Sequence, residues 1–306
     1  MLPRLRADLP ETAEQAYVGA VVRPPARPAR HRPNTEASSD SGLDIRSYGS
    51  AARPTVWRVV DPVFAEPRLA EVYDPLDPDR SDLDAYVAMV EEFGARSVLD
   101  IGCGTGTLAC LLARRGLTVT AVDPAAASLA VARTKPGADR MRWVHGYVTD
   151  LPPLQVDLVT MTGNVAQVFA ADAEWAATLR AAYAALGPGG RLVFETRGPA
   201  AKAWLEWNRE RSYQRTVMPG VGGVQAWHEL LEVRGDLVSF RSTVVFESDG
   251  AVLTSESTLR FRHRDEVATS LAAAGYAVDE VRQAPDRLGR ELVFIARRAD
   301  VGSTGT

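Results

Sequence analysis

The sequence predicts an α/β protein with a mostly parallel sheet and an antiparallel insertion after its fifth strand. Three observations carry this reading. Short apolar, β-branched runs alternate with stretches of helical periodicity from about residue 82 to residue 195. The first of these runs breaks into a glycine turn and then at once into a leucine-rich segment. From about residue 197 to residue 262 the alternation stops, and strand-like runs follow one another with only turns between them.

The glycine turn lies in Val98-Leu99-Asp100-Ile101-Gly102-Cys103-Gly104-Thr105-Gly106, followed by Leu108 to Arg115. It reads as strand, tight turn and helix. Glycines let backbone N–H groups approach a ligand at the positive end of the helix. In open α/β sheets ligands bind at the carboxyl ends of strands, which is where this turn sits. Before it, Leu83, Tyr86, Val87, Val90 and Phe93 repeat at spacings of three and four. A helix over 82–93 is expected, with Ser81 as its N-cap and Gly94 as its C-cap. Further upstream, Val60, Val63, Phe64, Leu69, Val72 and Tyr73 are apolar anchors, and Tyr73-Asp74-Pro75 reads as the end of their segment.

After the turn, Thr118 to Asp123 reads as a buried strand ending in an acid, and Pro124 opens an alanine-rich helix over 125–133. Arg142 to Gly146 and Asp157 to Met161 read as the third and fourth strands. Asp172 is expected to cap a helix that presents Trp175, Leu179, Ala182, Tyr183 and Leu186 on one face and stops at Gly187-Pro188-Gly189-Gly190. Arg191 to Glu195 is the fifth strand. The runs Val224 to Val233, Leu237 to Glu247 and Val252 to Arg262 then form a meander, with turns at Arg234-Gly235-Asp236 and Ser248-Asp249-Gly250. One helix is expected ahead of them, over 200–211. A helix from Arg264 to Ala274 closed by Gly275, and strands at Val278 to Val281 and Leu292 to Ile295, complete the chain.

Composition narrows the function. The chain has 306 residues, 46% of them hydrophobic, and a formal net charge of −4. That supports a sizeable core and gives no basic excess for a nucleic-acid backbone. Cys103 and Cys110 are the two cysteines, too few for a disulfide framework. No apolar run approaches the roughly 20 residues of a membrane span, so a cytoplasmic protein is expected. Residues 1–55 are Pro/Arg-rich and then Ser/Asp/Thr-rich, which predicts a disordered tail, and 299–306 reads as a flexible end. The domain proper is expected over 56–298.

The chemistry lies at the strand ends. Thr107 stands where a dinucleotide fingerprint has its third glycine or alanine. Asp100, on the first strand, suits a ligand with a cationic amine and would repel a pyrophosphate. Asp123 ends the next strand, where a carboxylate can accept both ribose hydroxyls. Two acids and three glycines therefore describe a nucleoside that carries an amino-acid-like group.

At these residues the chain resembles the class I S-adenosylmethionine-dependent methyltransferases of small-molecule type. Val98 to Gly106 is similar to the family's first motif, and Asp123 to its ribose-binding acid. Tyr147-Val148-Thr149-Asp150-Leu151-Pro152 resembles the adenine-contacting segment after the third strand, Asp157 to Met161 the fourth-strand motif, and Leu186 to Val193 the turn into the fifth strand. The resemblance covers residues 70–298. It implies a Rossmann-like, seven-stranded, mostly parallel sheet whose last strand is antiparallel, with 197–262 as a substrate cap. It implies S-adenosylmethionine as cofactor, held by Tyr73, Asp100, Gly102, Cys103, Gly104, Gly106, Asp123, Pro124, Tyr147, Val148, Asp150 and Met161. Tyr147 departs from the acid many members carry there, which leaves Asp150 or a backbone carbonyl to meet the adenine amine.

A small-molecule methyl acceptor, with no nucleic-acid partner and no membrane, completes the expectation. The activated sulfonium asks the protein to position a nucleophile and exclude water. An oxygen nucleophile wants a general base, whereas an amine needs only to arrive deprotonated. His228 in the meander, His145 at the end of the third strand and Asn164 beyond the fourth are the candidates; each also has a plain packing or turn role open to it. Trp204 and Trp207 are read as packing residues and Arg260, Arg262 and Arg264 as a solvated strand face. Two other readings stand beside this one: a nicotinamide-dependent oxidoreductase, which Thr107 and Asp100 oppose, and a methyltransferase-like binding protein without turnover, towards which Tyr147 leans.

Overall fold

The computed structural model describes residues 60–299. The tail expected over 1–55 and the end from residue 300 onward lie outside the described residues. Seven strands form the main sheet: β1 (Ser97–Ile101), β2 (Thr118–Asp123), β3 (Arg142–His145), β4 (Val156–Met161), β5 (Leu186–Arg197) and, after the insertion, a pair at Tyr276–Gln283 and Glu291–Arg298. The insertion forms a separate antiparallel sheet of β6 (Gln214–Met218), β7 (Gly222–Arg234), β8 (Leu237–Phe246) and β9 (Val252–Arg260), so the late pair is β10 and β11. The order in the main sheet is β3-β2-β1-β4-β5-β11-β10. Pairing is parallel from β3 to β5, and β11 runs antiparallel to both its neighbours. This is the Rossmann-like seven-stranded arrangement with an antiparallel last strand, and the order reverses between β1 and β4.

The helices follow from the sequence pattern. Ahead of β1 come α1 (Pro62–Ala65), α2 (Pro67–Leu76) and α3 (Asp84–Glu92); between strands lie α4 (Thr107–Arg114), α5 (Ala126–Ala132), α6 (Val165–Val168) and α7 (Asp172–Ala185); α8 (Arg209–Ser212) precedes β6 and α9 (Arg264–Ala273) precedes β10. Two cores cover the faces of the main sheet. On one, Leu99, Met161 and Phe194 pack with Trp175 and Leu179 of α7 and Leu271 of α9. On the other, Val98, Val193 and Ile295 pack with Tyr86 and Val90 of α3 and Leu108 and Leu112 of α4. A third cluster joins Leu69 and Val72 of α2 to Val224, Val244 and Phe246 of the insertion sheet.

Several local expectations are corrected. Ser81 does not cap a helix; it begins a 3₁₀ turn over Ser81–Leu83, and Asp79 accepts its backbone N–H at 3.0 Å. Helix α2 runs past Tyr73-Asp74 to Leu76, because Pro75 falls in its last turn and the amide it lacks forfeits only one bond. Asp172 is the first residue of α7 and makes no cap; its carboxylate pairs with Arg260 at 2.6 Å. The helix expected over 200–211 is broken into the 3₁₀ turns Pro199–Ala201 and Ala203–Glu206 and the short α8. Lys202 takes a left-handed conformation (φ 46°) at the first break. Strand β6, with Val217 its exposed apolar residue, was not expected at all.

Of the arginine run expected on a solvated strand face, Arg264 is exposed but opens α9, and Arg260 and Arg262 are not solvated. Arg262 is 5% exposed and donates to the Phe169 carbonyl at 2.7 Å, its guanidinium 5.3 Å above the Trp175 ring. Burial holds its pKa down to about 10. Arg260 is clamped between Asp236 and Asp172, each at 2.6 Å. A guanidinium is tolerated in such a place because carbonyls and carboxylates take up its donors. Trp204 and Trp207 do pack, as read: their rings lie 4.7 Å from Phe261 and 4.5 Å from Phe240.

Candidate functional site

Strand β1 delivers Asp100 and the turn after it. Gly102 and Cys103 both point their amides at the Val122 carbonyl, at 2.9 and 3.3 Å, which folds the turn back over β2. Gly102, Gly104 and Gly106 have φ of 67°, 52° and 75°, a region only glycine enters freely. Space is as tight as geometry: a Cβ at Gly102 would lie 2.7 Å from Val165, and one at Gly106 would lie 2.5 Å from the Trp143 ring. The backbone is thus exposed to a ligand by residue type and held by packing behind it.

Two buried carboxylates flank this turn. Asp100 is 2% exposed and accepts from the Thr160 hydroxyl at 2.8 Å. Burial raises its pKa to about 7, against the Thr160 hydrogen bond. Asp123 accepts the Gly104 amide at 2.8 Å and the Ala125 amide at 2.7 Å, and burial pushes its pKa up as well. Val148 and Met161 are buried nearby in the core beneath the strand ends. The Tyr147 amide donates to Asp150 at 3.2 Å, so Asp150 first serves its own 3₁₀ turn. His145 lies on this side of the sheet, its Nε2 3.0 Å from the carbonyl of Pro124.

Helix α2 lies over the turn. Asp74 accepts from the Thr105 hydroxyl at 2.7 Å and pairs with Lys135 at 2.6 Å. Its neighbour Tyr73 is 38% exposed, its ring 5.7 Å from that of Phe64. Tyr73 also lines a cavity of about 110 Å³ at the carboxyl ends of β4 and β5, with Tyr86, Asn164, Glu195, Arg197 and Glu291. A groove of about 520 Å³ between α7 and α9 is larger. It holds none of the residues expected to bind, and it lies among helices rather than at strand ends.

The smaller cavity contains what the sequence reading missed. Glu195 lies two residues before the end of β5 at 4% exposure and accepts from the Asn164 backbone N–H at 2.6 Å and from the Tyr86 hydroxyl. Burial raises its pKa to about 7. Asn164, at φ 61°, donates through Nδ2 to Glu291 at 3.1 Å. That contact fixes the amide orientation, because a carboxylate only accepts. The Asn164 Oδ1 is buried and has no hydrogen-bond partner among the described residues. Arg287 and Arg197 approach Glu291 at 3.0 and 3.5 Å. The available signal was an acid ending an apolar strand, Leu192-Val193-Phe194-Glu195, the same pattern that singled out Asp123.

His228 sits on β7 with its Nδ1 2.9 Å from the Ser242 hydroxyl. Burial and the charge of Arg197 hold its imidazole below the ordinary value. Asn164 and Tyr73 are therefore brought together at one cavity, Asp100, Asp123 and the glycines at the neighbouring turn, and His145 on the far side of that turn.

Residues 98–190 match the family model described as a methyltransferase domain. The chain is 34% identical over 116 residues to a ubiquinone biosynthesis O-methyltransferase of Pseudomonas entomophila, covering 36% of this chain and 48% of that one. It is 33% identical over 144 residues to a cypemycin N-terminal methyltransferase of a Streptomyces species, covering 46% and 59%. The chain thus spans about half the length of the curated relatives it matches. Among solved structures, the CcbJ methyltransferase of Streptomyces caelestis superposes with a TM-score of 0.64 at 22% identity, over 79% of this chain and all of that one. By its glycine turn, its strand order and these matches, the chain is similar to methyltransferases: residues 98–190 match a methyltransferase domain, and the sheet around them has the Rossmann-like order of the solved structure.

Proposed function

We propose that this protein transfers a methyl group from S-adenosylmethionine to an oxygen or nitrogen atom of a small molecule. The observation that carries the reading is the pair of buried carboxylates, Asp100 and Asp123, around the left-handed glycine turn. The residues present fit this cofactor. Asp100 has an acceptor to offer an ammonium group, Asp123 faces the place for ribose hydroxyls, and the glycines admit a ligand against the backbone. A pyrophosphate would meet two carboxylates there. Tyr73, Cys103, Pro124, Tyr147, Val148, Asp150 and Met161 complete the proposed contact set, with Asp150 or a backbone carbonyl taking the adenine amine.

When bound, the cofactor supplies a methyl group already activated as an electrophile. The chain's own part is to seat the acceptor, keep water out and manage a proton. We assign the seat to the cavity at Asn164 and the cover to the insertion over residues 197–262. For an oxygen acceptor His228 is the candidate base: burial and Arg197 disfavour its charged form, and it belongs to that cover. We read the enzyme as cytoplasmic, which the two free thiols Cys103 and Cys110 support. No described helix is long and apolar enough to cross a membrane.

Calorimetric titration with S-adenosylmethionine, S-adenosylhomocysteine and NAD tests the reading. Binding of the first two and not the third is expected. NAD binding without S-adenosylmethionine binding overturns the proposal in favour of an oxidoreductase, and saturable cofactor binding with no methyl transfer to any fraction of a cell extract overturns turnover.

A further inference from the structure

The cavity beside the glycine turn has a chemical bias that narrows the acceptor. Its charged lining residues include Asp77, Asp82, Glu195, Asp286 and Glu291 against Arg80, Arg197 and Arg287. The arginines are largely committed. Arg80 pairs with Asp82 at 3.0 Å, Arg287 with Asp286 at 3.2 Å and with Glu291 at 3.0 Å, and Arg197 reaches Glu291 at 3.5 Å. Among the described residues Glu195 is left with neutral hydrogen-bond donors only, the Tyr86 hydroxyl and the Asn164 backbone N–H. Each of its oxygens accepts one hydrogen bond and keeps a second lone pair.

A second, independent observation lies on the same wall. The Asn164 Oδ1 is an orphan acceptor in a residue 3% exposed. A buried polar atom without a partner costs stability, and such an atom at a cavity is a place for a ligand donor. Flipping the amide does not relieve it, since Nδ2 is already spent on Glu291. The cavity therefore offers two acceptors, one of them a carboxylate with no cation hydrogen-bonded to it, and asks for a ligand with several N–H or O–H donors and a positive charge. Its volume of about 110 Å³ is roughly four water volumes, enough for an amino-bearing group and its first carbons.

Position ties this cavity to the turn. Gly102 packs directly against Val165, the residue after Asn164. Adjacent residues of α2 serve both places: Asp74 bonds the turn through Thr105, and Tyr73 lines the cavity.

We infer that the methyl acceptor is a primary or secondary amine, seated as its ammonium between Glu195 and the Asn164 Oδ1, with the Glu195 carboxylate taking the proton that frees the nitrogen lone pair. The inference rests on the methyl-transfer reading and deepens it. In that step one N–H bond breaks and one carboxyl O–H bond forms. The electron pair stays on nitrogen, and Glu195 returns the proton to solvent when the product leaves. A carboxyl whose buried pKa is about 7 is matched to this exchange near neutral pH. The titratable and charged groups that face Glu195 are Tyr86 on α3, Glu291 on β11, Asp100 on β1 and Arg197 on its own strand.

The test is a carbon-13 NMR titration of the Glu195 carboxyl in the full chain with S-adenosylhomocysteine present. The probes are ethanolamine and glucosamine, set against ethylene glycol and glucose. The amines are expected to lower the Glu195 midpoint by at least one pH unit, and the neutral partners to leave it in place. Amine binding, read by calorimetry, is expected to weaken at least tenfold in Glu195→Gln while S-adenosylhomocysteine affinity stays within twofold. An unmoved midpoint with both amines, an equal shift with the neutral probes, or amine binding undiminished in Glu195→Gln overturns the inference. Failure of the unmodified protein to bind S-adenosylhomocysteine overturns the methyl-transfer reading instead, and the amine titration is then read on the free protein.

Discussion

At the β1–β2 end of the sheet, Asp100 and Asp123 flank a turn made of backbone; at the β5–β11 end, Glu195 and Glu291 face side chains that come from separate elements. Both places gather buried carboxylates at strand ends. They differ in what surrounds those carboxylates. The first is built from peptide groups whose positions are set by glycine φ angles and by Val122, Val165 and Trp143 packed behind them. The second is built from Tyr86, Asn164, Glu291 and two arginines, drawn from four separate stretches of chain. A backbone cradle holds what is common to every reaction of its kind. A side-chain cavity can be re-lined without disturbing the turn, and it is where acceptor choice is expected to reside.

The comparison is open to breaking, beginning with the strongest effect. Gly106→Ala places a methyl group 2.5 Å from Trp143 at a φ of 75°. It should destabilise the fold by about 3 kcal/mol through overpacking and left-handed strain, read as a lower thermal midpoint. An unchanged midpoint would show that the turn is not held from behind. Asp123→Ala should weaken cofactor binding by about 1–3 kcal/mol through lost hydrogen bonds to the ribose and to the turn. Calorimetry showing equal affinity would remove the ribose role.

The β5–β11 end differs in its response to pH. The folded-state pKa of Glu195 is raised from 4.5 to about 7, so the folded protein holds a proton there that the unfolded chain releases. The stability this contributes is fully present below about 4.5 and is lost as pH rises through about 7. Relative to Glu195→Gln, which cannot titrate, the native protein should lose on the order of 2 kcal/mol between pH 5 and pH 7 in denaturant melts. Parallel melts of the two proteins across that range would show that Glu195 is not buried as an acid. Asp150→Ala is the mildest change: losing the bond from the Tyr147 amide should cost about 0.5–1 kcal/mol of stability. A fall in cofactor affinity beyond tenfold in the same variant would mean that Asp150 carries the adenine contact alone.

The same contrast explains what the sequence made legible. The parallel strands, the cradle and Asp123 were readable because contiguous residues build them: glycines at alternate places, an acid at the end of each apolar run. The cavity was not, since Tyr86 and Glu291 are about 200 residues apart and meet only through the order β4-β5-β11. Asn164 was noticed for its place after β4, but its orphan oxygen depends on Glu291, which no local pattern names. Arg262 was misread for a related reason. Strand alternation would put Arg260 and Arg262 on one face, but β9 ends at Arg260, and beyond it Arg262 is buried against the carbonyls of Ala166 and Phe169.

The place of β11 in the sheet also orders the birth of the fold. Strand β5 has its inner neighbour β4 from the start, but its outer neighbour is made long afterwards: Phe194 pairs with Phe294, 100 residues later, and stacks on it at 5.4 Å. Until β11 emerges from the ribosome, β5 presents a bare edge of unpaired amides and carbonyls, the kind of edge on which another chain readily templates. The whole insertion is synthesised within that interval. A chain that stops short of Glu291 keeps every residue of the glycine turn but leaves β5 and β10 without the neighbour they share, so the last strand is the seam that joins them as well as a wall of the cavity.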